Sequence, residues 1–413
     1  MGTTWNDTPS ADRVHITFFG KMNSGKSSLI NALAGQQISI VSDISGTTTD
    51  LVKKPMEIHG IGACVLVDTA GFDDTGVLGE SRVALARQAA KQADLAVLVF
   101  DGNGQNSRFD EEKQWFCLLQ KRDTPVILVL NKTDTNARAK ELALQIGEQF
   151  GKTPLLASAA AKEGIEELKQ ALIAAAADKS TEQMRQITGG IVGKEDLVML
   201  VMPQDIQAPK GRLILPQVQT LRELLDQKCI TVCTSTDQFT HALAALKQPP
   251  KLIVTDSQVF RTIYEKKPKE SMLTSFSVLF AAYKGDMDYF VQGAHLIETL
   301  TEQDQVLIAE CCTHAPLDED IGRVKLPRLL RKKVGEGLRI DIVSGTDFPQ
   351  DLAKYSLIIQ CGACMFNRKY VMSRVEAAKE QRVPMTNYGV AAAYLNGILD
   401  QVELPGQSRK EQQ

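Results

Sequence analysis

Gly20-Lys21-Met22-Asn23-Ser24-Gly25-Lys26-Ser27 fits the pattern GxxxxGK[ST]. The strand-like run His15-Ile16-Thr17-Phe18-Phe19 precedes it, and the helix-like Ser28-Leu29-Ile30-Asn31-Ala32-Leu33 follows. In that setting the glycines let backbone N–H groups curl around phosphate oxygens at a helix N-terminus that favours anions. Lys26 is expected to reach the β and γ phosphates and Ser27 to ligate Mg2+, with Ser24, Gly25 and Ser28 lining the same turn.

Working outward, short apolar runs alternate with helical patterns from about residue 14 to 178: VHITFFG, SLINALAG, ACVLVDTAG, ADLAVLVF, PVILVLNK and EELKQALIAAAA. Such alternation implies an α/β fold with a parallel sheet covered by helices. Asp68-Thr69-Ala70-Gly71 ends the run ACVLV, which places Asp68 to hold Mg2+ through water and the Gly71 N–H to meet the γ phosphate. Asn131-Lys132-Thr133-Asp134 ends PVILVL, and Asp134 is suited to accept both guanine N1–H and the exocyclic amine, a pairing adenine does not offer. Ser158 and Ala159 are candidates to complete the base pocket through backbone contacts, and a plain small-residue turn explains them equally well.

These four elements, in this order, resemble the translation-factor-type GTPases, which implies GTP or GDP as ligand. Gly46-Thr47-Thr48-Thr49-Asp50 resembles switch I of the tRNA-modification GTPases, where a threonine closes on Mg2+. The candidate is Thr48, with Thr47 and Thr49 as neighbours. Phe72 stands where Ras-like enzymes carry the glutamine that orients water, so slow intrinsic hydrolysis is expected. Asn23 matches the K+-ligating position of potassium-activated GTPases, which makes K+ an expected activator.

The 413 residues exceed one domain of typical size, and 43% hydrophobic with 23% charged residues is an ordinary globular balance. A net charge of -3 gives no global field for nucleic acid or anionic lipid. No run reaches about 18 uninterrupted apolar residues, and residues 1–12 lack a signal-peptide pattern, so the expectation is a cytoplasmic protein without a membrane anchor. The expected layout is a flexible N-terminus (1–13), a nucleotide domain (14–178), a polar linker (179–195), two smaller α/β domains (196–300 and 301–404) and a flexible tail (405–413). No internal repeat is evident. The basic stretch RLLRKKV reads as a solvated helix face.

Eight cysteines in a chain without a secretion signal suggest buried thiols, metal ligands or redox groups rather than a disulfide framework. Cys361-Gly362-Ala363-Cys364 follows YSLIIQ and Cys312-Thr313-His314 follows VLIAEC, so both sit where strands end in loops. By spacing alone zinc, an iron–sulfur cluster, a redox dithiol and structural coincidence all stay open. Cys311 reads as a core or spare thiol. Cys64, Cys117, Cys229 and Cys233 lie in apolar runs and read as structural. His15 and His59 are assigned to strands and His241 and His295 to helices, without ligand roles.

A GTPase domain, a middle α/β domain and a C-terminal CxH…CxxC together resemble the FeFe-hydrogenase maturation GTPases, the HydF family, over nearly the whole chain. The resemblance implies a dimerising middle domain and a 4Fe-4S cluster on Cys312, Cys361 and Cys364, with His314 in the CxH position. It further implies a scaffold or carrier for the two-iron precursor of the hydrogenase site. The partners it implies are the hydrogenase apoprotein, the radical-SAM maturases and further copies of this chain, with no nucleic acid. Gln360 stands where that family usually has histidine before CxxC. Three thiolates leave one iron open to an exchangeable ligand. The rival reading is an RNA- or ribosome-associated GTPase with structural zinc, and a third is a GTP-regulated dithiol switch.

Overall fold

The computed structural model describes residues 9–35, 51–73, 77–103, 108–183, 185–203, 213–311 and 321–406. Residues 1–8 and 407–413 of the two ends, Thr47 to Asp50, Cys312 and His314 lie outside the described residues. The chain divides into two compact units, residues 1–184 and 185–413.

In the first unit six strands form one sheet. They are β1 (Val14–Gly20), β2 (Val52–Ile58), β3 (Gly62–Asp68), β4 (Leu95–Asp101), β5 (Val126–Asn131) and β6 (Leu155–Leu156). The order is β2-β3-β1-β4-β5-β6, with β2 antiparallel to β3 and the other pairs parallel. Helices α1 (Lys26–Leu33), α2 (Val77–Gln92), α3 (Asp110–Lys121), α4 (Ala139–Phe150) and α5 (Ile165–Gln183) supply the connections. All seven residues of β1 are buried, as a central parallel strand covered on both faces requires. Phe19, Phe100 and Leu128 enter the core on one face, and Ile16, Phe18 and Leu66 enter it on the other. Because β1 is followed in space by β3 on one side and β4 on the other, the strand order reverses there, and the C-terminal end of β1 opens onto a crevice.

The second unit holds two four-stranded parallel sheets. The first contains β7 (Leu197–Val201), β8 (Ile230–Thr234), β9 (Leu252–Thr255) and β10 (Met272–Ser275). With it go α6 (Leu215–Asp226), α7 (Phe239–Ala244), α8 (Phe260–Lys266), α9 (Phe276–Lys284) and α10 (Met287–His295). The second contains β11 (Gln305–Ala309), β12 (Arg339–Val343), β13 (Leu357–Gln360) and β14 (Met385–Asn387), with helices α11 (Leu326–Val334), α12 (Arg368–Glu380) and α13 (Tyr388–Leu395). The strand orders, β10-β9-β7-β8 and β14-β13-β11-β12, are the same topology used twice, although no repeat is visible in the residues. One core joins them: Met199, Val201 and Ile253 of the first sheet share a cluster with Leu307, Ile358 and Met385 of the second, bridged by Phe290 of α10. Burying a side chain such as Phe290 contributes about 1.5–3 kcal/mol.

Several local expectations change. Helix α5 runs to Gln183, past the expected start of the linker at 179, because neither glycine nor proline interrupts residues 165–183. Cys117 is exposed, since Glu112, Trp115, Phe116 and Leu119 take the inward stripe of α3. Cys233 is exposed because β8 is an edge strand, whereas Cys229 is buried and donates its thiol to the Gly193 carbonyl at 3.1 Å. His59 lies in the exposed turn between β2 and β3. Among the described residues no helix is long and apolar enough to cross a membrane.

Candidate nucleotide and cysteine sites

At the end of β1 the chain turns through Asn23 (φ 61°) and Gly25 (φ 89°) before entering α1. Gly25 is required twice over: the left-handed backbone suits it, and a Cβ there would lie 2.1 Å from Asn131 Nδ2. Lys26 is buried, and its ammonium donates to the carbonyls of Gly20 (3.0 Å) and Lys21 (2.8 Å), folding the side chain back over the loop. Burial lowers the Lys26 pKa, while Asp68 and Asp73 act to raise it.

Asp68, at the end of β3, accepts a short hydrogen bond from the Ser27 hydroxyl through Oδ2. Its Oδ1 is buried without a partner, and burial pushes the carboxyl pKa up against the opposing pull of Ser27 and Lys26. A hydroxyl and an orphaned carboxylate oxygen, side by side at a phosphate loop, form the hard oxygen set that Mg2+ takes. The Ser24 hydroxyl is likewise buried and unpartnered in the same loop. Gly71 packs so closely that a Cβ would meet the Met22 nitrogen at 2.4 Å, and Met22 N–H donates to Asp73 Oδ1 at 2.6 Å. Asp73 was not singled out from the sequence. Its only signal is an acid two residues after DTAG.

Phe72 turns inward, stacking on Trp115 with centroids 5.7 Å apart, and Trp115 stacks on Phe19 at 5.2 Å. Asn131 acts as a strut: Nδ2 donates to the Ser24 carbonyl (2.9 Å) and Oδ1 accepts from Ala159 N–H (3.1 Å). Ser158 donates to Asp134 Oδ1 at 2.6 Å, which fixes that carboxylate, while Lys132 pairs with Asp101 at 2.9 Å. Residues 20–27, Asp68, Gly71, Asn131, Lys132, Asp134, Ser158 and Ala159 therefore gather at the C-terminal ends of β1, β3, β5 and β6. Asn23 is exposed on the loop and Ser28 on the first turn of α1.

The second site lies where β11 and β13 end side by side, again where the strand order reverses. Cys361 N–H donates to the Ala309 carbonyl (3.0 Å), and Cys361 Sγ accepts N–H bonds from Cys311 (3.0 Å) and Ala363 (3.4 Å). Cys364 is half-buried. Gln360 is fully buried and turned inward, donating Nε2 to Cys311 Sγ at 3.0 Å. Cys311 belongs to the local core, and its hydrogen bond with Cys361, together with burial, pushes its thiol pKa well up. Arg374, which the sequence did not single out, donates to Cys311 Sγ (3.2 Å) and Gln360 Oε1 (3.2 Å). Glu310, the residue before Cys311, accepts from Arg323 at 3.1 Å. Among the described residues no three His, Cys, Asp or Glu side chains gather for a metal, and the predicted partners Cys312 and His314 lie outside them. The described donors, two thiols with backbone N–H groups aimed at one sulfur, are soft ligands of the kind that zinc and iron–sulfur centres both take.

Residues 15–132 match the profile of the 50S ribosome-binding GTPases. The chain is 41% identical over 143 residues to the GTPase Der of Wolinella succinogenes, covering 34% of this chain and 29% of that protein. It is 37% identical over 161 residues to the tRNA modification GTPase MnmE of Synechococcus elongatus, covering 39% and 34%. The chain thus spans about a third of the length of these curated relatives. A probable GTP-binding protein engB of known structure is 23% identical with a TM-score of 0.34, covering 40% of this chain and 99% of that one. The N-terminal domain is a GTPase domain of α/β fold. Residues 187–285 match the Hydrogen maturase F dimerization domain and residues 288–404 the Hydrogen maturase F tetramerization domain, both of them self-association domains. With these two profiles together spanning more than half of its 413 residues behind a GTPase domain, the chain belongs to the hydrogen maturase F family.

Proposed function

We propose that this chain is a cytoplasmic GTP-hydrolysing scaffold of FeFe-hydrogenase maturation. In this reading it holds a 4Fe-4S cluster on Cys312, Cys361 and Cys364 and passes the two-iron precursor to the hydrogenase apoprotein. It works as a homodimer or higher oligomer beside the radical-SAM maturases. The observation that carries the reading is the 3.0 Å hydrogen bond from Cys311 N–H to Cys361 Sγ, because the residue after Cys311 is the first cysteine of the CxH motif. His314 follows Cys312 by two residues in the CxH motif. Gln360, being committed to Cys311 and Arg374, leaves the fourth iron site to an exchangeable ligand.

On the nucleotide side, the loop from Gly20 to Ser27 cradles the phosphates with its N–H groups and Lys26 neutralises their charge as bond cleavage proceeds. Asp134, braced by Ser158, selects guanine, with Lys132 held by Asp101 and Asn131 by the Ala159 N–H. Ser27, Asp68 and Thr48 hold Mg2+, which supplies charge stabilisation on the phosphate oxygens when bound. Asn23 holds K+, which adds positive charge where other GTPases use an arginine. Phe72 offers the attacking water no hydrogen bond, so turnover is slow and GTP serves as a switch. Closure of residues 47–49 and 68–72 on the γ phosphate biases partner association only by the differential affinity of the two states.

Anaerobic purification with iron, sulfide and zinc analysis tests the reading. A brown protein with iron and sulfide in similar amounts supports it. Colourless protein with zinc points instead to a structural metal site, and protein without either metal to a dithiol.

A further inference from the structure

Two buried cations meet the cysteine loop, and neither belongs to a sequence motif. Lys284, the last residue of α9, is 2% exposed and donates its ammonium to the carbonyls of Ala363 (3.1 Å) and Phe366 (2.8 Å). Ala363 sits at φ 48°, a left-handed conformation that costs a residue bearing a Cβ roughly 1 kcal/mol, so the lysine holds a strained turn between the two cysteines. Arg374 of α12 is also 2% exposed. Its guanidinium donates to Cys311 Sγ, Gln360 Oε1, the Gly345 carbonyl and the Tyr370 hydroxyl at 2.6–3.2 Å, and its Nε is buried without a partner. The rings of Phe348 and Tyr370 cover it at 4.8 and 4.9 Å.

Among the described residues no carboxylate pairs with Arg374. A cation taken out of water with only neutral acceptors is strongly disfavoured, and it becomes tolerable when an anion lies beside it in the same low-dielectric interior. Sulfur lies on that side of the guanidinium: Arg374 donates to Cys311 Sγ, and Cys311 N–H donates to Cys361 Sγ, so the cation faces the cysteine loop. A cluster of iron and sulfide held by thiolates carries net negative charge, and that charge grows by one on reduction.

Resting on the cluster reading above, we propose that Lys284 and Arg374 are positioning residues that act as the counter-charge of an anionic iron–sulfur cluster on the Cys361–Cys364 loop. They stabilise its reduced form and so raise its reduction potential. Neither touches iron. Lys284 acts through the carbonyls of the loop and Arg374 through Cys311.

The test uses the full chain, reconstituted anaerobically with iron and sulfide and titrated with dithionite under EPR. Lys284→Met and Arg374→Met are each expected to keep the wild-type iron and sulfide content while shifting the one-electron equilibrium at least tenfold toward the oxidised form, a fall of 59 mV or more in midpoint potential. Lys284→Arg and Arg374→Lys restore most of it. Unchanged potentials in both methionine variants at full iron content overturn the inference, as does an equal fall in the charge-conserving variants. Should a methionine variant not fold, the glutamine variant, which removes the charge and keeps donors, replaces it. Wild-type protein that takes up no iron overturns the cluster reading itself, a result separate from an unshifted potential.

Discussion

The phosphate loop and the cysteine loop occupy equivalent places, each hanging from the C-terminal end of a parallel strand where the strand order reverses, yet they are held by different means. The phosphate loop is shaped mainly by its own backbone and by residues of its own motifs: Gly25 in the left-handed region, Lys26 folded onto Gly20 and Lys21, Asn131 strutting Ser24. The cysteine loop is held by buried side chains that belong to no motif, with Lys284 reaching Ala363 and Arg374 reaching Cys311. A site that binds phosphate needs N–H groups, which any residue supplies, whereas one built on thiols needs charge brought to it.

The largest test of this contrast is a double dissociation. Lys26→Ala removes the cation from the phosphate site and is expected to weaken GTP binding at least about a hundredfold, ~2.7 kcal/mol, by fluorescent-nucleotide titration, with iron per chain unchanged. Cys361→Ser is expected to do the reverse, losing iron while GTP binding holds. Iron lost along with nucleotide in the lysine variant breaks the comparison.

Next in size is Gly25→Ala. Its Cβ would press on Asn131 Nδ2 at 2.1 Å in a left-handed backbone, so the strut must move. Strain of about 2 kcal/mol corresponds to roughly thirtyfold weaker binding. Wild-type affinity in this variant means that the loop is less constrained than its geometry indicates.

The same contrast explains what was legible in the residues. The α/β architecture, the loop from Gly20 to Ser27, Asp68, and the strand ends carrying Asn131 and Cys361 follow from apolar periodicity and contiguous motifs, because each depends on neighbours a few residues away. Lys284 and Arg374 were not legible. A lysine closing the apolar helix FSVLFAAYK and an arginine amid RKYVMSRVEAAKE look like surface charges until the fold buries them. The repeated strand order of the second unit was hidden for a similar reason, since topology is kept by the pattern of apolar runs and not by residue identity. Cys117 and Cys233 show the converse error, an apolar neighbourhood in sequence that becomes an outer face in three dimensions.

Potassium sharpens the nucleotide half of the comparison. If Asn23 supplies a K+ ligand, hydrolysis in KCl exceeds that in NaCl at equal ionic strength by at least about tenfold, ~1.4 kcal/mol of transition-state stabilisation. Asn23→Ala then removes the difference without changing the rate in NaCl. Equal rates in the two salts for the wild-type protein remove the ion from the mechanism and leave the exposed asparagine as a turn residue.

The smallest effect probes how the cysteine loop is anchored at its far end. Asn367 follows the loop and caps α12, its Oδ1 accepting the Tyr370 N–H at 3.3 Å, and α12 is the helix that carries Arg374. Replacing a capping asparagine by alanine costs about 1 kcal/mol, which in a unit of this size lowers Tm by roughly 2–4 °C. Asn367→Ala is therefore expected to lower the melting transition of the second unit modestly, while the transition of the GTPase domain, read by its response to GTP, stays where it was. Because the cap lies between the thiols and the guanidinium, the variant is also expected to speed amide exchange in residues 361–374 ahead of the rest of the unit. Exchange spread evenly over the unit shows instead that the loop is held by the shared core alone, and that the buried cations contribute charge without contributing order.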